Sequence, residues 1–112
     1  GYGCTLKRGA LAGLPPELLM VSLIGHTPGH AGVAIDTDQG WLLHAGDAYV
    51  HRAEMRAGEA LPRVTRYQSV LDCDRDQRLF NRDRLRQLAG DRQAGVTIFC
   101  AHDPDELTAL QC

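Results

Sequence analysis

Three polar groups arrive immediately beyond apolar runs of this chain. Leu18 to Ile24 (LLMVSLI) leads into Gly25-His26-Thr27-Pro28-Gly29-His30, Trp41 to Ala45 (WLLHA) into Gly46-Asp47, and Val96 to Cys100 (VTIFC) into Ala101-His102-Asp103-Pro104. Two imidazoles and a carboxylate are donors that Zn2+ and other first-row divalent cations accept. Loops at strand ends are where a rigid sheet presents side chains to a ligand. The glycines beside His26 and Asp47 let the backbone bend toward a shared point. Each group also has a plain structural reading. A histidine at a strand end is often a satisfied packing residue, and Gly-Asp after a strand is often only a turn. Spacing alone leaves the metal reading and the structural one open.

The elements that must position these groups follow from pattern. Leu18–Ile24 is short, nearly continuously apolar and stopped by Gly25, which favours a buried strand over a helix; Gly13-Leu14-Pro15-Pro16 ahead of it is loop punctuation. Gly32 to Asp36 reads as a second strand and Trp41 to Ala45 as a third, joined as a hairpin through Thr37-Asp38-Gln39-Gly40. After Pro62 the period changes: Val64, Tyr67, Val70 and Leu71 recur at helical steps. Asp72 to Asp76 is a polar break with good capping residues. Leu79, Leu85, Leu88 and Ala89 make a second helical stripe, with Gly90 placed to end it. Val96–Cys100 reads as another buried strand, and Pro104–Leu110 opens like the first turn of a short helix. Strands, helices, strand and helix in that order predict an α/β or α+β fold with helices over central strands.

Bulk properties narrow the partners. A chain of 112 residues with formal charge −2 is one domain or part of one, and it gives no general electrostatic case for nucleic acid or an anionic membrane. Between Arg52 and Arg92 lie ten arginines against seven acidic residues, and the sole lysine is Lys7; the expected reading is a solvated helical face. No stretch approaches the roughly 18 to 20 apolar residues that span a bilayer, and no signal peptide is visible at Gly1. Cys4, Cys73, Cys100 and Cys112 form no Cys-x-x-Cys, which excludes a zinc ribbon or thioredoxin-type motif. Cys100, inside an apolar run, is expected to be a buried free thiol, and a reducing, cytoplasmic setting is expected.

In order and context, these three endings resemble motifs of the metallo-β-lactamase superfamily. The His26-Thr27-Pro28-Gly29-His30 run resembles its third metal-binding motif, Gly46-Asp47 the fourth and Ala101-His102-Asp103 the fifth; the gap of 21 residues from His26 to Asp47 agrees. The match runs from about Leu18 to Leu110. The resemblance implies half of a four-layer αβ/βα sandwich, with residues 1–112 as the C-terminal part of one domain. It implies two Zn2+ or other divalent ions, with His26, Asp47 and His102 as ligands and Asp47 bridging. It places His30 behind the ligand loop as a supporting imidazole; the competing assignment has His30 as ligand and His26 behind it. Tyr49 is a candidate catalytic helper that would sit over the substrate carbonyl, packing being its alternative role. His44 and His51 are expected to be structural.

The superfamily's His-x-His-x-Asp-His motif is absent, and the only histidines before Asp47 are His26, His30 and His44. The expectation is therefore a chain that needs a missing N-terminal half to complete its metal site. The implied function of the intact protein is zinc-dependent hydrolysis of a small-molecule ester, lactone or related acyl substrate, in a lactonase-like or uncharacterised bacterial branch. The alternatives are a non-catalytic or degenerate piece of the fold, or a nuclease-branch member acting on phosphodiesters. Neither a membrane nor a nucleic acid is an expected partner.

Overall fold

Period-two alternation in the apolar runs builds a sheet with two chemically different faces. In a computed structural model that describes residues 8–10, 13–56 and 62–111, five strands lie in chain order: β1 (Arg8–Ala10), β2 (Leu18–Ser22), β3 (Ala31–Thr37), β4 (Gly40–His44) and β5 (Val96–Phe99). β1 to β4 pair antiparallel, and β5 joins β4 in parallel. The hairpin between β3 and β4 turns through Asp38 and Gln39, as the turn chemistry predicts. A parallel neighbour requires a crossover. It is supplied by a 3-10 turn (Arg52–Met55) and two helices, α1 (Pro62–Leu71) and α2 (Arg75–Gly90); α3 (Pro104–Leu110) follows β5.

Register sorts the side chains. Leu19, Ala34, Leu43 and Ile98 align across β2 to β5 on one face, which carries the core. Leu85 of α2 is fully buried against this face, with Leu23, Ala45, Tyr49 and Cys100. Burial of each such leucine contributes about 2 kcal/mol. The opposite face carries the aligned row Met20, Val33, His44 and Phe99, next to Leu18, Ile35 and Leu42. None of these joins the core cluster, and Met20 and Val33 are exposed.

The expected strands and helices all form, with shifts of a residue or two at their ends. The stripe positions Val64 and Tyr67 have side chains outside the described residues. Gly90 does not end α2 as a left-handed cap: it is the last helical residue, and Asp91 in extended conformation closes the helix. β1 and the 3-10 turn have too few residues to show a period. Among the described residues no helix is long and apolar enough to cross a membrane. Cys73 and Cys100 are free thiols, the latter buried; burial pushes the Cys100 thiol up to about 12. Cys4 and Cys112 lie outside the described residues.

Candidate metal centre

His26 leaves β2 on a tightly built loop. Gly25 has φ +144, and a Cβ there would collide with the Arg78 backbone at the start of α2, so only glycine lets the loop and helix touch. Backbone bonds fix the approach: Asp74 N–H donates to Gly25 O (2.8 Å) and Cys73 N–H to His26 O (3.3 Å). The Asn81 amide donates to Ile24 O (2.8 Å). The result is a half-buried His26 whose Nε2 lies 3.4 Å from Asp47 Oδ2.

Asp47 sits at the end of β4 for a similar reason. Gly46 has φ +59, and a Cβ there would push on the His30 ring. Ala45 N–H donates to Phe99 O (2.8 Å) and Ala101 N–H to Gly46 O (2.9 Å), so the parallel pairing of β4 with β5 continues past the strands. That continuation brings the Asp47 and His102 loops together. His102 Nε2 lies 2.7 Å from Asp47 Oδ1. Oδ1 is buried and has no hydrogen-bond partner despite that close approach. Two imidazole nitrogens thus face the two oxygens of one carboxylate.

His30 has a different position. Its Nδ1 is 2.8 Å from Leu23 O, and its Nε2 accepts from Asp47 N–H at 2.9 Å. A carbonyl on one side and an amide N–H on the other occupy both ring nitrogens with Nδ1 protonated. No lone pair is free for a cation, and the ring instead ties the His26 loop to the Asp47 backbone. His44 Nδ1 accepts from Gly46 N–H, and His51 caps the 3-10 turn by accepting from Ala53 N–H.

Tyr49 lies in the core. The side chain is fully buried and its hydroxyl contacts both Glu106 oxygens (2.9 and 2.8 Å), away from the carboxylate of Asp47. Burial, then the Glu106 contact, push the phenol far above its ordinary value. Two residues past Asp47, the chain has already turned inward, so Tyr49 packs beneath α3 instead of lining the cleft. Of the two roles open to Tyr49, packing is the one this placement supports.

The cleft itself, about 400 Å³, is lined by His26, Asp47, Val50, Gln68, Leu71 and His102. Sequence reasoning missed two groups around it. Gln68 is buried with neither amide atom hydrogen-bonded. Asp72, behind His26, has a side chain with 0% exposure. The only signal for either was polarity inside or just after a helical stripe, which a solvated helix face also produces.

The donor set fits a divalent cation in type: imidazole nitrogens around a carboxylate with one orphaned, buried oxygen. In number it falls short. Among the described residues no three His, Cys, Asp or Glu side chains group closely enough to hold an ion alone.

No family model matches the chain. Over 89 residues it is 38% identical to a probable metallo-hydrolase of Mycobacterium bovis and to one of Mycobacterium tuberculosis, covering 79% of this chain. It spans about 29% of the length of those relatives. An N-acyl homoserine lactone hydrolase solved with N-hexanoyl-L-homoserine at its catalytic metal centre superposes with TM-score 0.64 at 22% identity, over 88% of this chain and 35% of that one. A quorum-quenching N-acyl homoserine lactone lactonase gives TM-score 0.66 at 21% identity, over 93% and 38%. The chain has part of the metallo-β-lactamase fold, matching 35% and 38% of the lengths of these two neighbours.

Proposed function

We propose that this chain, which carries part of the metallo-β-lactamase fold and is similar to metallo-hydrolases, supplies His26, Asp47 and His102 to the metal site of a hydrolase acting on an ester or lactone. The observation that carries this reading is the placement of the two imidazoles on the two oxygens of Asp47. Relatives named as metallo-hydrolases and structural neighbours named as lactone hydrolases support it. The remaining ligands come from residues outside this chain, and two Zn2+ ions are the proposed complement. A reducing, cytoplasmic setting belongs to the same proposal, resting on cysteines scattered through the sequence without a paired spacing.

Bound there, a divalent cation supplies a Lewis acid for the substrate carbonyl and makes water a nucleophile near neutral pH. The chain's own residues do the rest. Asp47 brings the negative charge, held by the His30 ring on its backbone N–H. His26 and His102 approach from either side, and Val50 and Leu71 give the cleft an apolar wall for an acyl group. Asp47→Asn in the full-length protein tests the reading. Zinc content should fall, and kcat/KM on ester and lactone substrates should drop at least about 100-fold. A fully active, zinc-replete variant would overturn it.

A further inference from the structure

One polar side chain of the cleft has no part in the proposed reaction. Gln68 lines the wall beside His26, Asp47 and His102. It is only 4% exposed, and neither Oε1 nor Nε2 has a hydrogen-bond partner among the described residues. Buried polar groups are nearly always paired, and an unpaired one costs stability. An apolar residue here, like Leu71 in the same wall, would carry no such cost. The position is also fixed. Asp72 N–H donates to Gln68 O (2.9 Å) at the end of α1, and the bonds from Cys73 and Asp74 to the Gly25–His26 backbone tie that end to the His26 loop. Gln68 is therefore held at a set place relative to His26, and the cleft is open to solvent at His102, whose side chain is 62% exposed.

A carboxamide presents an acceptor and donors side by side in one plane. An anion would use only the N–H groups, in a cleft that already holds the Asp47 carboxylate. A cation would use only the oxygen, and an alkyl chain neither. The group that uses both is uncharged and carries the same edge reversed, as a primary amide or a ring lactam does. We propose that Gln68 is a specificity-determining residue that recognises such a carboxamide edge. The substrate class is then an ester or lactone whose acyl part carries a primary amide or lactam near the scissile carbonyl. This assignment of substrate rests on the hydrolase reading of the same cleft.

The test uses the full-length protein and three methyl esters of one shape: succinamate, with donor and acceptor, levulinate, with the acceptor alone, and valerate, with neither. kcat/KM for succinamate should exceed the other two at least about 10-fold, the discrimination that a buried hydrogen bond left unmade gives. Gln68→Met keeps the length of the side chain and removes the amide, and it should bring the three values within about twofold of one another. Because Gln68 has no partner to lose, that variant should not lower the thermal midpoint. Binding is read separately, as the Kd of each ester in the Asp47→Asn protein, with and without Gln68→Met, and should follow the same order. No preference in the parent in either readout, or a preference that survives Gln68→Met, overturns the proposal. So does a lowered midpoint with all three rates falling together, which would place the partner of Gln68 in the protein itself. If succinamate binds preferentially through Gln68 while the parent hydrolyses none of the esters, recognition by Gln68 stands and the hydrolase reading fails.

Discussion

At the scale of single residues, neighbours in sequence divide between the cleft and the core. Asp47 faces the two imidazoles while Tyr49 lies under α3 with its hydroxyl on Glu106. Tyr49→Phe should therefore cost stability and spare chemistry. Removing the hydroxyl takes a donor from a part-buried carboxylate, worth about 1–3 kcal/mol, so the denaturant midpoint should fall while kcat per folded molecule stays within about twofold. A kcat loss of 100-fold with unchanged stability would return Tyr49 to the cleft. The convergence of His26, Asp47 and His102 was legible because each follows an apolar strand, and strand ends can be read from pattern. Asp72 and Gln68 were not. Their burial comes from how α1 and α2 dock on the His26 loop, a tertiary fact with no local signature.

Among the elements, α3 shows most clearly how local signals become architecture. Pro104 and two acids predicted its first turn, and the helix forms there. What the sequence did not reveal is the reach of its cap. Asp103 accepts from Asp105 and Glu106 N–H within the helix and from Arg52 N–H and guanidinium 51 positions away, so one carboxylate fastens α3 to the 3-10 turn. Burial raises its pKa, but those backbone N–H groups and Arg52 outweigh the burial and hold it below the ordinary carboxylate range. The sign follows. A depressed folded-state pKa contributes stability that is fully present above the unfolded value of about 3.9 and is lost as pH falls through the lower folded one. Asp103→Ala should cost about 2 kcal/mol at pH 7 and flatten the acid limb of stability between pH 5 and 2, by about as much as the cap contributes. Urea midpoints across that range check it; parallel curves for the parent and the variant would deny the cap its charge.

For the whole molecule, the two faces of the sheet set what the chain does alone. One face is filled by the core, whereas Met20 and Val33 stand exposed among Leu18, Ile35, Leu42 and Phe99 on the other. Monomers seldom leave such an apolar row in water, so the 112-residue chain by itself should self-associate in sedimentation, and lysines at Met20 and Val33 should disperse it. Covering that face would not complete the proposed metal site unless the cover brought ligands. A catalytic zinc takes three protein ligands and a water, and here two imidazoles share one carboxylate, with no group of three among the described residues. Weak binding follows from too few donors, and without a held cation water keeps a pKa far above neutrality, so little hydroxide exists at pH 7. The chain by itself, monomeric or dispersed by the lysines, should show no zinc-dependent turnover of ester, lactone or thioester, and only weak zinc uptake in a dye competition. Zinc-dependent turnover by these 112 residues would mean that a second copy, or residues of the same chain outside 8–10, 13–56 and 62–111, completes the ligand set, and would move the proposed catalytic unit from the full-length protein to this chain.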